Sequence, residues 1–345
     1  MNILYVFPGQ GSQYEGMGKD ICDAFEVAAG VYDTATDVLG YDIRDMSFNN
    51  PGDQLNLTRH TQPALLTHHI ACLEVFREKT GGSLPPTMAA GHSLGEYSAL
   101  VAAGALTFET ALRLVQKRGE LMGEHGQGEM TAFMMALDDI RPLAEEFHCA
   151  VSACNQPMQT VVGGSSEDLA ALEARVAEEF PRKKAIRLKT EGAFHTYYMN
   201  TAADLFRTAL DEADMRPPAI RVLSNYTGGF HDDDVAGIKE RLYLQLKAPV
   251  MWNDNLITAF GEGLDRVYEF GGGIGPGGPE EKRPNLESMI KKAARAAGSE
   301  AVYTPAINKA TLDDAACAGQ IAVVRPQLRK NTNENDWHLQ YYPVT

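Results

Sequence analysis

Several things are scarce in this chain of 345 residues, and each scarcity excludes something. Cysteine occurs five times, an odd number, at positions 22, 72, 149, 154 and 317, with no C-x-x-C pair. That pattern is read as reduced thiols in a cytoplasmic protein, and it gives no support to a zinc site. Basic residues are outnumbered: 31 Lys and Arg stand against 46 Asp and Glu, a formal charge of −15. A nucleic-acid backbone would be repelled, so nucleic acid is not expected as a partner. No apolar run has the length of a membrane span, and no membrane role is expected. The opening MNILYVFPGQG lacks a basic n-region and a cleavage site, and reads as a first strand and not as a signal peptide. Repeats and low-complexity tracts are also missing.

What remains is ordinary for a globular chain, with 44% apolar and 22% charged residues and length enough for one to three domains. The apolar run Ile3–Phe7, ended by Pro8-Gly9, predicts a buried strand. Residues 62–80 carry a helical pattern. A short small-residue strand over 87–90 leads into AAGHSLGEYSALVAAGAL, followed by helices over 96–105 and 108–122. From about Gly126 the order changes to strand 132–137, helix 140–147, strands 150–153 and 160–162, helix 167–179 and strand 185–188. This β-α-β-β-α-β series predicts a ferredoxin-like insert. Helical pattern resumes after Thr196, with further strands expected at 221–224 and 266–270 and a helix including 256–260. The polar segment after about residue 311 is left unplaced.

Ser93 sits in a G-x-S-x-G frame between a predicted strand and a predicted helix. There a sharp turn would expose the hydroxyl, and the next main-chain N–H would point toward a developing oxyanion. A helix N-cap serine is the plainer reading of the same residue. Nine histidines could supply a base. His92 adjoins the serine, but its side chain should leave the turn in another direction. His68 and His69 lie on the 62–80 helix, where packed or solvated roles are commoner. His195, in a loop between a strand and a helix, is one of several candidates. Arg118 is either a solvated helical arginine or a two-pronged clamp for a carboxylate. FPGQGSQYEGMG is not a phosphate loop, because Gly18-Lys19 is followed by Asp20. The formal G-x-G-x-x-G over 273–278 is followed by Pro279 and opens no helix at once, so a dinucleotide fold is discounted.

FPGQGSQ at 7–13, TQPAL at 61–65, GHSLGEYSAL at 91–100, QKRG at 116–119, NQPMQTVVGG at 155–164, GAFH at 192–195 and QLKAPV at 245–250 follow one another in this order. Over roughly residues 1–310 the set resembles the malonyl-CoA:acyl carrier protein transacylases, including the free-standing acyltransferases of polyketide synthases. The resemblance implies an α/β fold, with an α/β-hydrolase-like large subdomain (1–126 and 196–310), a ferredoxin-like small subdomain (127–195) and an extension of unknown role over 311–345. It implies that Ser93 is acylated by the thioester, that His195 is its base and that the N–H groups of Gln10 and Leu94 form the oxyanion hole. Arg118 would pair with the malonyl carboxylate, Phe194 would crowd an α-methyl group, and Gln245 would orient His195 through its main-chain carbonyl. Malonyl-CoA and an acyl carrier protein bearing phosphopantetheine are then the partners, the chain acts as a monomer, and neither cofactor nor metal is called for. A hydrolase acting on acyl thioesters and a non-catalytic carrier-protein scaffold are the rival functions. One departure stands out: family members often read E-x-G-P-G after the last core strand, whereas this chain runs EFGGGIGPGG from Glu269.

Overall fold

The structure, a computed structural model, describes residues 1–232 and 234–318. β1 (Ile3–Phe7) is buried along its whole length. Such a strand, apolar on both faces, belongs at the middle of a parallel sheet covered by helices on both sides. Three helices follow, α1 (Lys19–Ala24), α2 (Glu26–Leu39) and α3 (Ile43–Asn49), and after a 3₁₀ turn comes the long α4 (Thr58–Thr80). Gly81, in the left-handed region at φ 56°, ends α4. β2 (Met88–Gly91) pairs in parallel with β1 and runs into α5 (Gly95–Ala102) and α6 (Phe108–His125).

The insert has its own antiparallel sheet. β3 (Glu129–Phe133), α7 (Leu137–Glu146), β4 (Ala150–Gln156), β5 (Gln159–Gly164), α8 (Ser166–Glu179) and β6 (Ala185–Leu188) give the strand order β4-β5-β3-β6, the ferredoxin-like arrangement. Phe133, Ile140, Val162, Leu169, Leu172 and Val176 form a separate small core beneath it. The chain then returns through α9 (Asn200–Glu212), β7 (Arg221–Val222), α10 (Val235–Lys247), α11 (Trp252–Gly261), β8 (Arg266–Phe270), α12 (Glu287–Ala296) and β9 (Val302–Ala306). The large sheet has the order β7-β2-β1-β8-β9, and every pair in it is parallel.

Two contacts join β4 to the segment between α10 and α11, close to the loop after β6. Cys154 N–H donates to Val250 O at 2.8 Å, and Val250 N–H donates to Ser152 O at 2.9 Å. The Gly-rich stretch after Glu269 packs against the first loop: Gly273 N–H donates to Ser12 O, and Gly272 N–H to His68 Nδ1, both near 2.9 Å. Glu269 itself is buried and accepts from the N–H groups of Asn285 and Leu286 and from the Tyr303 hydroxyl. The departure from the E-x-G-P-G pattern thus lies in a loop that supports residues 8–14.

The expected strand over 132–137 is found earlier, at Glu129–Phe133, and Leu137 already opens α7. The helices α1–α3, α10 and α12 and the edge strand β9 were not expected. Residues 309–318 are helical and bury Leu312 and Ala315, so the start of the expected extension belongs to the main core. Its remainder, 319–345, lies outside the described residues.

Candidate active site

Two glycines bring the chain into the turn at Ser93. A Cβ on Gly91 would stand 1.9 Å from the Gly95 carbonyl carbon, and one on Gly95 would stand 2.2 Å from Phe7 O. Neither position admits a side chain, so strand, turn and helix close to a spacing that only glycine permits. Ser93 between them is held at φ 51°, in the left-handed region that costs a non-glycine residue energy. Asn225, just after β7, grips this turn from both sides. Its Oδ1 accepts from Ser93 N–H (2.5 Å), and its Nδ2 donates to Gly91 O (2.7 Å).

His195 is the second strained residue, at φ 60° in the loop between β6 and α9. Its Nε2 lies 2.7 Å from Ser93 Oγ, and its Nδ1–H donates to the main-chain oxygen of Gln245 at 2.6 Å. The carbonyl fixes the tautomer, leaving Nε2 free to accept the serine proton. Burial, and then the Arg118 charge, lower the imidazole pKa to about 3, while the Gln245 carbonyl works the other way. The ring is therefore neutral at physiological pH. Among the described residues no carboxylate stands behind it, so the arrangement is a dyad supported by a main-chain oxygen.

Arg118 is fully buried, not solvated. From α6 its Nη2 donates to Ser93 Oγ (3.1 Å) and to Gln245 Oε1 (3.0 Å). The guanidinium also lies 5.7 Å from the centre of the Tyr97 ring. Gln10, Ser93, Leu94, Arg118, Phe194 and His195 all line one cavity of about 840 Å³ between the two sheets. Gln245 lies beneath it. The main-chain N–H groups of Gln10 and Leu94 donate to no protein acceptor among the described residues. The Gln10 loop is tied down by Gln10 Nε2, which donates to Thr58 Oγ1 at 3.1 Å; Thr58 N–H in turn donates to Glu191, a few residues before His195.

The other histidines fall elsewhere. His92 also borders the cavity, but its Nε2–H donates to Asn155 Oδ1 at 2.8 Å and its ring packs against Trp252. His68 and His69 are core residues, the latter bonded to Ser98. Among the described residues no group of three or more His, Cys, Asp or Glu could hold a metal ion, and no helix is long and apolar enough to cross a membrane. Three residues that shape the site were missed: Asn225, Glu96 and His231. A charged residue in the first turn of the small-residue helix α5 was the one available signal, for Glu96.

A strained serine turn with an imidazole against the hydroxyl is the equipment of covalent acyl transfer. The model of the acyl transferase domain matches residues 4–260. The chain belongs to the acyl transferase family. Within it, the chain is 36% identical over 312 residues to a malonyl CoA-acyl carrier protein transacylase of Bacillus subtilis, covering 88% of this chain and 94% of that one. Among solved structures it resembles FabD from Acinetobacter baumannii, with TM-score 0.83, 30% identity and coverage of 93% and 99%. It also resembles a malonyl-transacylase solved in complex with its type II PKS acyl-carrier protein, with TM-score 0.82, 31% identity and coverage of 92% and 100%. This acyltransferase thus shares its two-sheet architecture with enzymes named for malonyl transfer.

Proposed function

We propose that this acyltransferase moves a malonyl group from malonyl-CoA to the phosphopantetheine thiol of an acyl carrier protein, in fatty acid or polyketide synthesis. The observation that carries the reading is the triangle at Ser93 Oγ, with a neutral imidazole at 2.7 Å and a buried guanidinium at 3.1 Å. In the first half-reaction Ser93 Oγ attacks the thioester carbonyl and its proton passes to His195 Nε2. The oxyanion forms against the N–H groups of Gln10 and Leu94. Collapse breaks the C–S bond, and the coenzyme A thiolate leaves with the proton from His195. In the second half-reaction the carrier thiol gives its proton to His195 and attacks the malonyl ester, and Ser93 recovers its hydroxyl. Every step draws on this chain's own side chains and main-chain N–H groups and on the two thiol partners, and the scheme calls for no cofactor. The proposed setting is the cytoplasm, with the chain acting as a monomer.

Arg118 is the selector. A malonyl carboxylate would pair with its guanidinium, whereas an acetyl group would leave a buried donor set without an anion. Phe194, whose ring lines the same cavity, would crowd a substituent on the malonyl α-carbon. Incubation with malonyl-CoA alone should add one malonyl unit to the intact protein, and peptide mapping should place it on Ser93. Release of free malonate faster than carrier acylation would make the protein a hydrolase, and the absence of any adduct would make it a scaffold.

An acidic carrier protein must approach an acidic enzyme, which calls for a local cationic surface. The residues flanking β6 supply one that reaches the cavity at Lys189. Lys183 is half-buried and Lys184 exposed, and Lys189 lines the opening together with Leu188. Arg187 is committed to Glu129 and Glu173, which leaves Arg182 and the three lysines to carry the patch. A second group of cations lies on α12, but there Lys291 pairs with Glu287 and Lys292 bonds Gln156. Reversing charge at Lys183 and Lys184 should raise KM for the carrier protein several-fold and leave KM for malonyl-CoA unchanged; equal values for the carrier protein would remove this surface.

A further inference from the structure

Arg118 holds a positive charge at zero exposure, which is unfavourable unless something balances it. Its Nη2 contacts are both neutral groups, the Ser93 hydroxyl and the Gln245 amide oxygen. A guanidinium can only donate, so the oxygen of that amide must face it and the nitrogen must face away. On the far side Gln245 Nε2 donates to Ser93 O at 2.9 Å and to Glu96 Oε2 at 3.0 Å. Glu96 is equally buried; its Oε2 also accepts from Asn225 N–H at 3.0 Å, and its Oε1 accepts from His231 Nε2–H at 2.7 Å. Cation and carboxylate therefore stand on opposite sides of a single amide. Burial works against the Arg118 charge, and Tyr97 and then Glu96 are the groups that support it.

We propose that Glu96 is the resting counter-ion of Arg118, acting through the Gln245 amide, and that this spacing sets how strongly Arg118 grips an acyl carboxylate. A direct Glu–Arg pair would occupy the donors that the substrate needs. With no anion nearby, the empty site would hold an unbalanced charge. The interposed amide gives balance and leaves the guanidinium open to a second anion. His231 fixes the carboxylate oxygen that faces away from Gln245. Glu96 is thus a positioning residue that determines specificity and touches no reacting atom. The inference rests on the malonyl reading above and concerns the choice of acyl group, not the acylation chemistry.

Two substitutions move the charge in opposite directions. Glu96→Gln can keep every hydrogen bond: its oxygen serves Asn225 and Gln245, and its nitrogen donates to His231 Nε2. The His231 proton then shifts to Nδ1, which has no partner among the described residues. Both acyl groups meet that tautomer change alike, whereas the lost charge acts on the malonyl carboxylate, so KM for malonyl-CoA should fall and the malonyl-to-acetyl ratio of kcat/KM should rise about tenfold. Gln245→Glu sets a carboxylate directly against Arg118 while its main-chain oxygen still serves His195, and the ratio should fall about tenfold or more. Acetyl transfer is the internal control, since a purely structural role would change both acyl groups together. A ratio that stays constant, or that moves the same way in both variants, overturns the proposal. Should the new carboxylate facing Ser93 O prevent folding of Gln245→Glu, the isosteric Glu96→Gln decides alone: a ratio that fails to rise overturns it. A wild-type protein with no preference for malonyl over acetyl would instead sink the functional reading, which separates the two failures.

Discussion

Replacing His195 with alanine should slow malonylation of Ser93 by about two to four orders of magnitude, the range expected for removing a positioned general base. The loss should appear in single-turnover acylation and in carrier transfer alike, because the same imidazole serves both half-reactions. Stopped-flow measurement of coenzyme A release provides the check, and a loss below tenfold would take His195 out of the proton path. The wild-type pH profile gives an independent test. An ordinary histidine would cause kcat/KM to fall near pH 6.5. Here the free-enzyme imidazole is held near 3, so kcat/KM should show no break in that region. The sign follows from the causes: burial and a neighbouring cation both disfavour the protonated ring. In the proposed scheme a malonyl carboxylate paired with Arg118 would neutralise the cation and make the ring a stronger base, so the correct substrate would improve its own catalyst. A clear imidazole break in kcat/KM near pH 6.5 would contradict this account.

Arg118→Ala should produce the largest change in selectivity. Loss of a charged hydrogen-bond partner in a desolvated site costs roughly 1.5–3 kcal/mol, or about ten- to a hundredfold in malonyl kcat/KM. Acetyl transfer should fall less or rise, because the site no longer presents an unpaired cation to a neutral group. Two further contacts are lost at the same time, to Ser93 Oγ and to the Gln245 amide, so a small decrease common to both acyl groups is also expected. Competition between malonyl- and acetyl-CoA in one reaction reads the ratio directly. Equal losses would show that Arg118 supports the serine turn and does not read the cargo.

Much of this was legible before any coordinates. The serine turn could be placed because glycine is needed at 91 and 95 for steric reasons that leave a mark in the sequence. β8 was placed at its observed limits because RVYEF is a compact β-rich run with a turn after it. The start of the insert was harder. MTAFMMAL stays apolar across the end of β3 and the start of α7, so periodicity alone cannot divide it. β9 contains Pro305 and is half-exposed, and so lacks a strand signature. The charged network was invisible for a different reason. Whether Arg118 or Glu96 is solvated depends on which distant segments cover it, and Asn225, His231 and Gln245 come from a part of the chain more than a hundred residues away. No local pattern reports such an encounter.

The bridges between Ser152, Cys154 and Val250, with the Ser152 hydroxyl bonded to Phe194 O at 2.7 Å, have a practical meaning for engineering. The strand that walls the cavity, the loop bearing the imidazole and the segment beside Gln245 are stitched into one piece. A chimera that borrowed only the insert from another enzyme would carry β4 and the imidazole loop together, and would seat that loop only by remaking the two main-chain bonds to Val250. Exchange of cargo preference between enzymes calls for grafting 150–156, 192–196 and 245–250 as a set.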